Sequence, residues 1–98
     1  MFIVSLSYTA ALEEIDVHLA EHVEWLEAGY AAGVFLASGR KVPRDGGVIL
    51  ARGERAALEA RLADDPFARA GLARYEITEF IPTMTVDELA AVRERLPA

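Results

Sequence analysis

The sequence predicts an α+β domain with its elements in the order β-α-β-β-α-β. Three observations carry that prediction. The opening residues alternate in polarity with a period of two, the mark of a half-buried strand. A long stretch starting at Leu12 repeats apolar residues at helical spacing. Two short apolar runs, Val34–Ala37 and Val48–Ala51, flank a glycine-rich turn and predict a hairpin. With 98 residues, of which 53% are hydrophobic, the chain fits one globular unit with a modest core.

In the first strand, Met1 to Tyr8, residues Phe2, Val4, Leu6 and Tyr8 alternate with Met1, Ile3, Ser5 and Ser7, so the first set faces the helices. The first helix spans Leu12 to about Ala32 as one piece, its stripe formed by Leu12, Ile15, Leu19, Val23, Leu26 and Tyr30, with His22 at the stripe's edge. Glu13, Glu14 and Asp16 complement the helix dipole in its first turns, and Gly33 is placed to cap its end. Val34–Ala37 forms the second strand, Ser38–Gly47 a turn-rich loop, and Val48–Ala51 the third strand. Gly47 at the entry to that strand predicts a bulge or a close backbone approach.

A second helix runs from about Glu54 to Ala63, with Leu58 and Leu62 inward, and stops at Asp64-Asp65-Pro66 because the residue before proline disfavours helical geometry. Phe67 to Gly71 allows one short helical turn, and Tyr75–Ile81 is the fourth strand. After Pro82, Thr85-Val86-Asp87-Glu88 has the capping-box pattern and predicts a C-terminal helix through Arg95. The predicted boundaries are a core of residues 1–82 and a helical extension of residues 83–98.

This order is that of the ferredoxin-like arrangement, a four-stranded antiparallel sheet with both main helices on one face. The other face would carry Ile3 with Phe35, Ala37 and Ile49. A face that apolar predicts cover by a second copy, a homodimer through the sheet faces.

Composition removes several function classes. The net charge of −6 and the lack of a basic stripe argue against nucleic acid as partner. Arg40, Lys41 and Arg44 form a small basic cluster that suits one anionic group of a small-molecule ligand. The absence of cysteine removes disulfides, thiolate nucleophiles and thiolate metal sites. The apolar start has no basic flank or cleavage pattern, and no apolar run is long enough to cross a membrane, so a cytoplasmic protein without membrane contact is the expectation.

The chemistry centres on His22. An imidazole beside a buried stripe needs a partner, since an unpaired buried polar group costs roughly 1–3 kcal/mol. Two helices on one sheet face lie side by side, so Asp65 at the end of the second can approach His22 on the first. An aspartate accepting from one imidazole nitrogen fixes the tautomer and leaves the other nitrogen to move a proton. The plainer alternatives are a histidine bonded to backbone and an Asp65-Pro66 step that caps a short helical turn. His18 and His22 have the i, i+4 spacing of two metal ligands, but no third ligand is evident, so no metal is assigned. Trp25 and Tyr8 are candidates to wall a ligand pocket, and Ser38-Gly39 to offer a hydroxyl and backbone amides; a subunit contact and a tight turn explain Trp25 and Ser38-Gly39 equally well.

Four stretches together resemble the YciI-like, or YCII-related, family: Met1-Phe2-Ile3-Val4; His22-Val23-Glu24-Trp25-Leu26; Leu36-Ala37-Ser38-Gly39; and Asp64-Asp65-Pro66-Phe67 with Ala70-Gly71-Leu72. One departure is that many relatives place proline directly after the Ser-Gly turn, whereas here it comes later, at Pro43. The resemblance implies a dimeric α/β-barrel-like assembly of ferredoxin-like subunits. It maps the family's histidine and aspartate to His22 and Asp65, and the turn beside the cavity to Ser38 and Gly39. Relatives include small enzymes of aromatic-compound breakdown, with dehydrochlorination among the reactions. The expectation is a lyase or isomerase, free of metal or organic cofactor, acting on a small cyclic carbonyl compound. The alternative is a non-catalytic ligand-binding or accessory module in which the pair is a structural clamp.

Overall fold

The computed structural model describes residues 1–97. Its elements are β1 (Phe2–Tyr8), α1 (Leu12–Val17), α2 (Leu19–Ala31), β2 (Phe35–Arg40), β3 (Gly46–Ala51), α3 (Arg55–Ala63), α4 (Pro66–Arg69) and β4 (Ala73–Glu79), followed by a 3-10 helix at Asp87–Val92. The strands form one antiparallel sheet in the order β2-β3-β1-β4. That order, with the helices over one face, is the arrangement the element order predicts.

The register sorts the two faces. Val4 lies opposite Ile49 on one side and Ile77 on the other, and Phe2 lies opposite Ala51. These residues face the helices, where Ile15, Leu58, Leu62, Phe67 and Leu72 close the core. On the open face, Ile3 lies between Leu50 and Thr78, and Ser5 between Val48 and Glu76. Ile3 is 41% and Val48 39% exposed. Phe35 and Ile49, assigned to that open face from sequence, are instead buried beneath the helices, each 2% exposed. The register of β2 shifts between Phe35 and Ala37, so Phe35 pairs with Ala51 on the inner face while Ala37 pairs with Leu50 on the outer one. A two-residue period cannot anticipate such a bulge.

The predicted first helix is two helices. The chain breaks at His18, whose φ of −103° and ψ of 4° leave the helical region. The inward line runs through Ile15 and Gly29, which are buried, with Leu19, His22 and Leu26 half-buried between them, while Leu12, Val23 and Tyr30 stand about two-fifths exposed. His22 is half-buried between Leu19 and Leu26, beside the buried residues, as its spacing predicts. Gly33, with φ of 74°, ends α2 as expected of a C-terminal glycine.

The hairpin is longer than its apolar runs suggest. Ser38, Gly39 and Arg40 belong to β2, and Gly46 and Gly47 to β3, which leaves a tip of Lys41–Asp45 containing a cis Val42–Pro43 peptide. The glycines are there because the backbones crowd. A Cβ on Gly46 would sit 1.8 Å from the carbonyl oxygen of Leu6, and one on Gly47 would sit 3.1 Å from that of Gly39. β4 starts and ends two residues earlier than the expected Tyr75–Ile81 span.

The C-terminal capping box does not form. Val86, not Thr85, precedes the 3-10 helix, and the Thr85 hydroxyl accepts from Arg93 Nε at 3.1 Å. None of Asp87–Val92 is buried. A short helix without a packed face has little to hold it. Of the predicted extension, Ala98 lies outside the described residues.

The glycine geometry predicts a contrast. Gly46→Ala should lower unfolding free energy by about 2 kcal/mol or more through overpacking against β1. Gly39→Ala, where a Cβ meets nothing within 4 Å, should stay within about 0.5 kcal/mol of the parent. Urea denaturation of the two variants checks the pair, and equal destabilisation would contradict the packing argument.

Candidate active site

The site is built on Asp65. The carboxylate is 0% exposed. Its position follows from local sequence: Asp65 precedes Pro66 at the start of α4, and its Oδ1 accepts the Phe67 N–H at 3.1 Å, the ordinary N-cap bond. The same oxygen lies 2.7 Å from Nδ1 of His22 on α2. The second oxygen, Oδ2, accepts the hydroxyl of Tyr75 on β4. The two alternatives open for Asp65 from sequence, cap and histidine partner, are thus both realised by one side chain.

Three donors suit an acceptor-only carboxylate. With Nδ1 of His22 engaged by this carboxylate, Nε2 makes no hydrogen bond among the described residues, and the residue itself lines the cavity. The imidazole stacks on Phe67, with centroids 4.0 Å apart and planes within 10°. Its side chain is 12% exposed. Burial and hydrogen bonding to Asp65 push the Tyr75 phenol well above its ordinary value, so it remains a donor.

A cavity of about 280 Å³ opens beside His22, between α2, the β2–β3 hairpin and the end of β1. Leu6, Leu19, Leu26 and Phe67 supply apolar wall, and Tyr8, Ser38, Gly39 and Arg40 line it as well. Of the residues named from sequence, His22, Tyr8, Ser38 and Gly39 therefore reach one cavity. Trp25 does not line it. It stacks near His22, at a 5.6 Å centroid separation, and its indole N–H donates to the Arg61 carbonyl at 3.0 Å, tying α2 to α3. Trp25 is a partly buried packing residue because the helix phase turns it toward Phe35, 5.1 Å away.

Ser38 Oγ and Tyr30 Oη are 2.7 Å apart. If Tyr30 donates, the Ser38 hydroxyl is free to donate elsewhere. Arg40 reaches the cavity because it belongs to β2 and not to a loop. The other two basic residues of the cluster are engaged: Arg44 Nη2 meets Asp16 Oδ1 at 2.6 Å, and Lys41 Nζ donates to Ser7 Oγ at 3.4 Å. The Arg44 guanidinium holds the Asp16 carboxyl below the usual carboxylate range. Among the described residues, Arg40 makes no ion pair, and no Asp or Glu lines the cavity. No group of three or more metal-ligating side chains occurs among the described residues. Among the described residues, no helix is long and apolar enough to cross a membrane.

Phe67, Tyr75 and Tyr30 were not singled out from sequence. Phe67 was signalled by its place two residues after Asp65, and Tyr75 by the alternation of β4, which puts it on the inner face with Ile77. Nothing in the chain order pointed to the Tyr30–Ser38 pair.

Because the Tyr75 proton is held more tightly in the folded protein than in the unfolded chain, its contribution is complete below the unfolded value of 10.0 and declines as pH rises above it. Unfolding free energy should therefore fall above pH 10, and fall less steeply in Tyr75→Phe. Chemical denaturation across the alkaline range reads the difference, and identical slopes would contradict it.

The model of the YCII-related domain matches residues 1–81. No curated protein sequence matches the chain. Among solved structures, 5-chloro-2-hydroxyhydroquinone dehydrochlorinase (TftG) from Burkholderia phenoliruptrix AC1100, in complex with 2,5-dihydroxybenzoquinone, is similar in fold. Its TM-score is 0.68 at 16% identity, over 82% of this chain and 93% of that one. The family model spans the strands, the histidine-bearing helix and the Asp-Pro step, and on that match the chain belongs to the family of YCII-related domains.

Proposed function

We propose that the protein is a small-molecule lyase or isomerase in which His22 and Asp65 act as a general acid/base dyad on a small cyclic carbonyl or aromatic-derived compound. The observation that carries this reading is the 2.7 Å Nδ1–Oδ1 contact at the wall of a partly apolar cavity. His22 Nε2 takes a proton from a carbon next to a carbonyl. The C–H electron pair moves into the ring, and the proton stays on the imidazole for return at another atom or for release with a departing group. Asp65 holds the tautomer and balances the imidazolium as it forms. Ser38 and Arg40 face the oxygen on which negative charge gathers. Arg40, unpaired in a cavity without carboxylates, favours a substrate that is anionic or becomes so. The step draws on protein groups and needs no metal or organic cofactor. A fold neighbour with 2,5-dihydroxybenzoquinone bound supports a planar cyclic substrate by analogy.

The test uses chlorinated hydroxyhydroquinones as probes, with chloride release and absorbance as readouts. His22→Asn keeps an amide donor toward Asp65 while removing Nε2, and should lower kcat by about 10²-fold or more. Asp65→Asn should lower it by about tenfold or more. Full turnover in His22→Asn would end the acid/base reading. Binding of 2,5-dihydroxybenzoquinone with no turnover of any probe would turn the site into that of a binding module.

The open sheet face supports a second proposal, a homodimer formed through it. Ile3 and Val48 stand exposed beside half-buried Leu50 in the middle of the sheet. Sedimentation should give a dimer for the parent chain and a monomer for Ile3→Glu/Val48→Glu. A parent that sediments as a monomer would refute it.

A further inference from the structure

We propose that Tyr75 is a positioning residue of this site, which fixes the Asp65 carboxylate so that Oδ1 faces His22. The inference rests on the dyad acting as described above.

The donors around Asp65 are unevenly shared. Among the described residues, Oδ1 receives the Phe67 N–H and the His22 Nδ1–H, whereas Oδ2 receives only the Tyr75 hydroxyl. With the carboxylate 0% exposed, bulk water cannot replace a lost donor. Two donors on Oδ1 restrain rotation of the group about its Cβ–Cγ bond from one side only. A donor on the other oxygen, brought in from a separate element, restrains it from the opposite side. β4 supplies it: Tyr75 pairs with Leu6 on β1, so its ring lies on the helix side of the sheet.

Tyr75 does not line the His22 cavity. It borders a different, apolar groove with Leu62, Ala63, Ala68 and Ile77. Its influence on the chemistry therefore runs through Asp65. By drawing charge toward Oδ2, the phenol also tempers the pull of Oδ1 on the Nδ1 proton.

The experiment follows the His22 Nδ1–H resonance in protein with ¹⁵N-labelled histidine, using His18→Gln for assignment. The parent is compared with Tyr75→Phe and with protein carrying 3-fluorotyrosine at position 75, a stronger donor of nearly the same size. The resonance should move upfield and broaden in Tyr75→Phe, as the Nδ1–H···Oδ1 bond loses its fixed geometry, and move upfield while staying sharp with 3-fluorotyrosine, which draws more charge to Oδ2. With a turned-over probe in hand, Tyr75→Phe should lose about tenfold in kcat with KM within about twofold of the parent. A purely structural tyrosine would lower thermal stability and leave both resonance and kcat unmoved, and that result overturns the proposal. If Tyr75→Phe fails to fold, the fluorotyrosine protein decides alone, and an unmoved resonance overturns it. Should His22→Asn retain full turnover, the catalytic reading falls, while the resonance still reports whether Tyr75 orients the pair.

Discussion

A carboxylate sealed from water is the constraint around which this domain is arranged. Removing an ion from water costs several kcal/mol unless hydrogen bonds replace the lost hydration. Asp65 meets that demand with three donors from three elements: the backbone of α4, the imidazole of α2 and the phenol of β4. Each bond ties an element to the others. Helix α2 crosses to the α3–α4 corner because His22 must reach Asp65, and Trp25 reinforces the crossing through the Arg61 carbonyl. The inner face of β4, set by its pairing with β1, brings Tyr75 to the same carboxylate. One polar group thus specifies how the helices lie over the sheet, while the apolar residues around it supply the bulk of the burial.

The cavity follows from the hairpin. Gly46 and Gly47 bring β3 close to β1 and β2 without side chains, and Gly47, opposite Leu6 and Arg40 on the helix side, adds no side chain to the space beneath α2. Ser38 and Arg40 are carried into it by the strand period: Ser38 pairs with Ile49 and Arg40 with Gly47, both on the helix side. The Arg44–Asp16 pair secures the tip of the hairpin against α1, and among the described residues the neighbouring Arg40 makes no ion pair. The polar equipment of the site is thus divided between a rigid buried end, His22 with Asp65, and a more exposed end, Ser38 with Tyr30.

Element order and most element types were legible in the sequence because each long element has a clean period. The inner face of β1 and the inward leucines of α3 came directly from alternation and helical spacing, and Asp65-Pro66 marked both a stop and a cap. The boundaries that failed have specific causes. Ser38, Gly39, Gly46 and Gly47 look like turn residues, since glycine and serine favour turns when nothing else is known. Here they extend two strands, and at Gly46 only glycine tolerates the backbone contact to Leu6. Phe35 and Ile49 were placed on the wrong face because the β2 bulge and the true strand starts are not written in the polarity pattern. The C-terminal capping box was present in sequence but had no tertiary surface to build on.

For the site, the sequence by itself determined the chemistry in stock: two histidines, no thiol, an Asp-Pro step and a serine-glycine pair, all carried on predictable elements. Its periodicity also determined that His22 would lie close to a buried stripe, since apolar spacing is a local property of the chain. Only the tertiary structure decided that Asp65 is His22's partner, that Tyr75 completes the carboxylate's shell, that Trp25 packs away from the cavity and that Arg40 reaches it. Those outcomes depend on distances between residues 43 and 10 positions apart, and on strand register and a bulge. No local spacing rule encodes them, because they are set when helices and strands dock and the buried charge must find its donors.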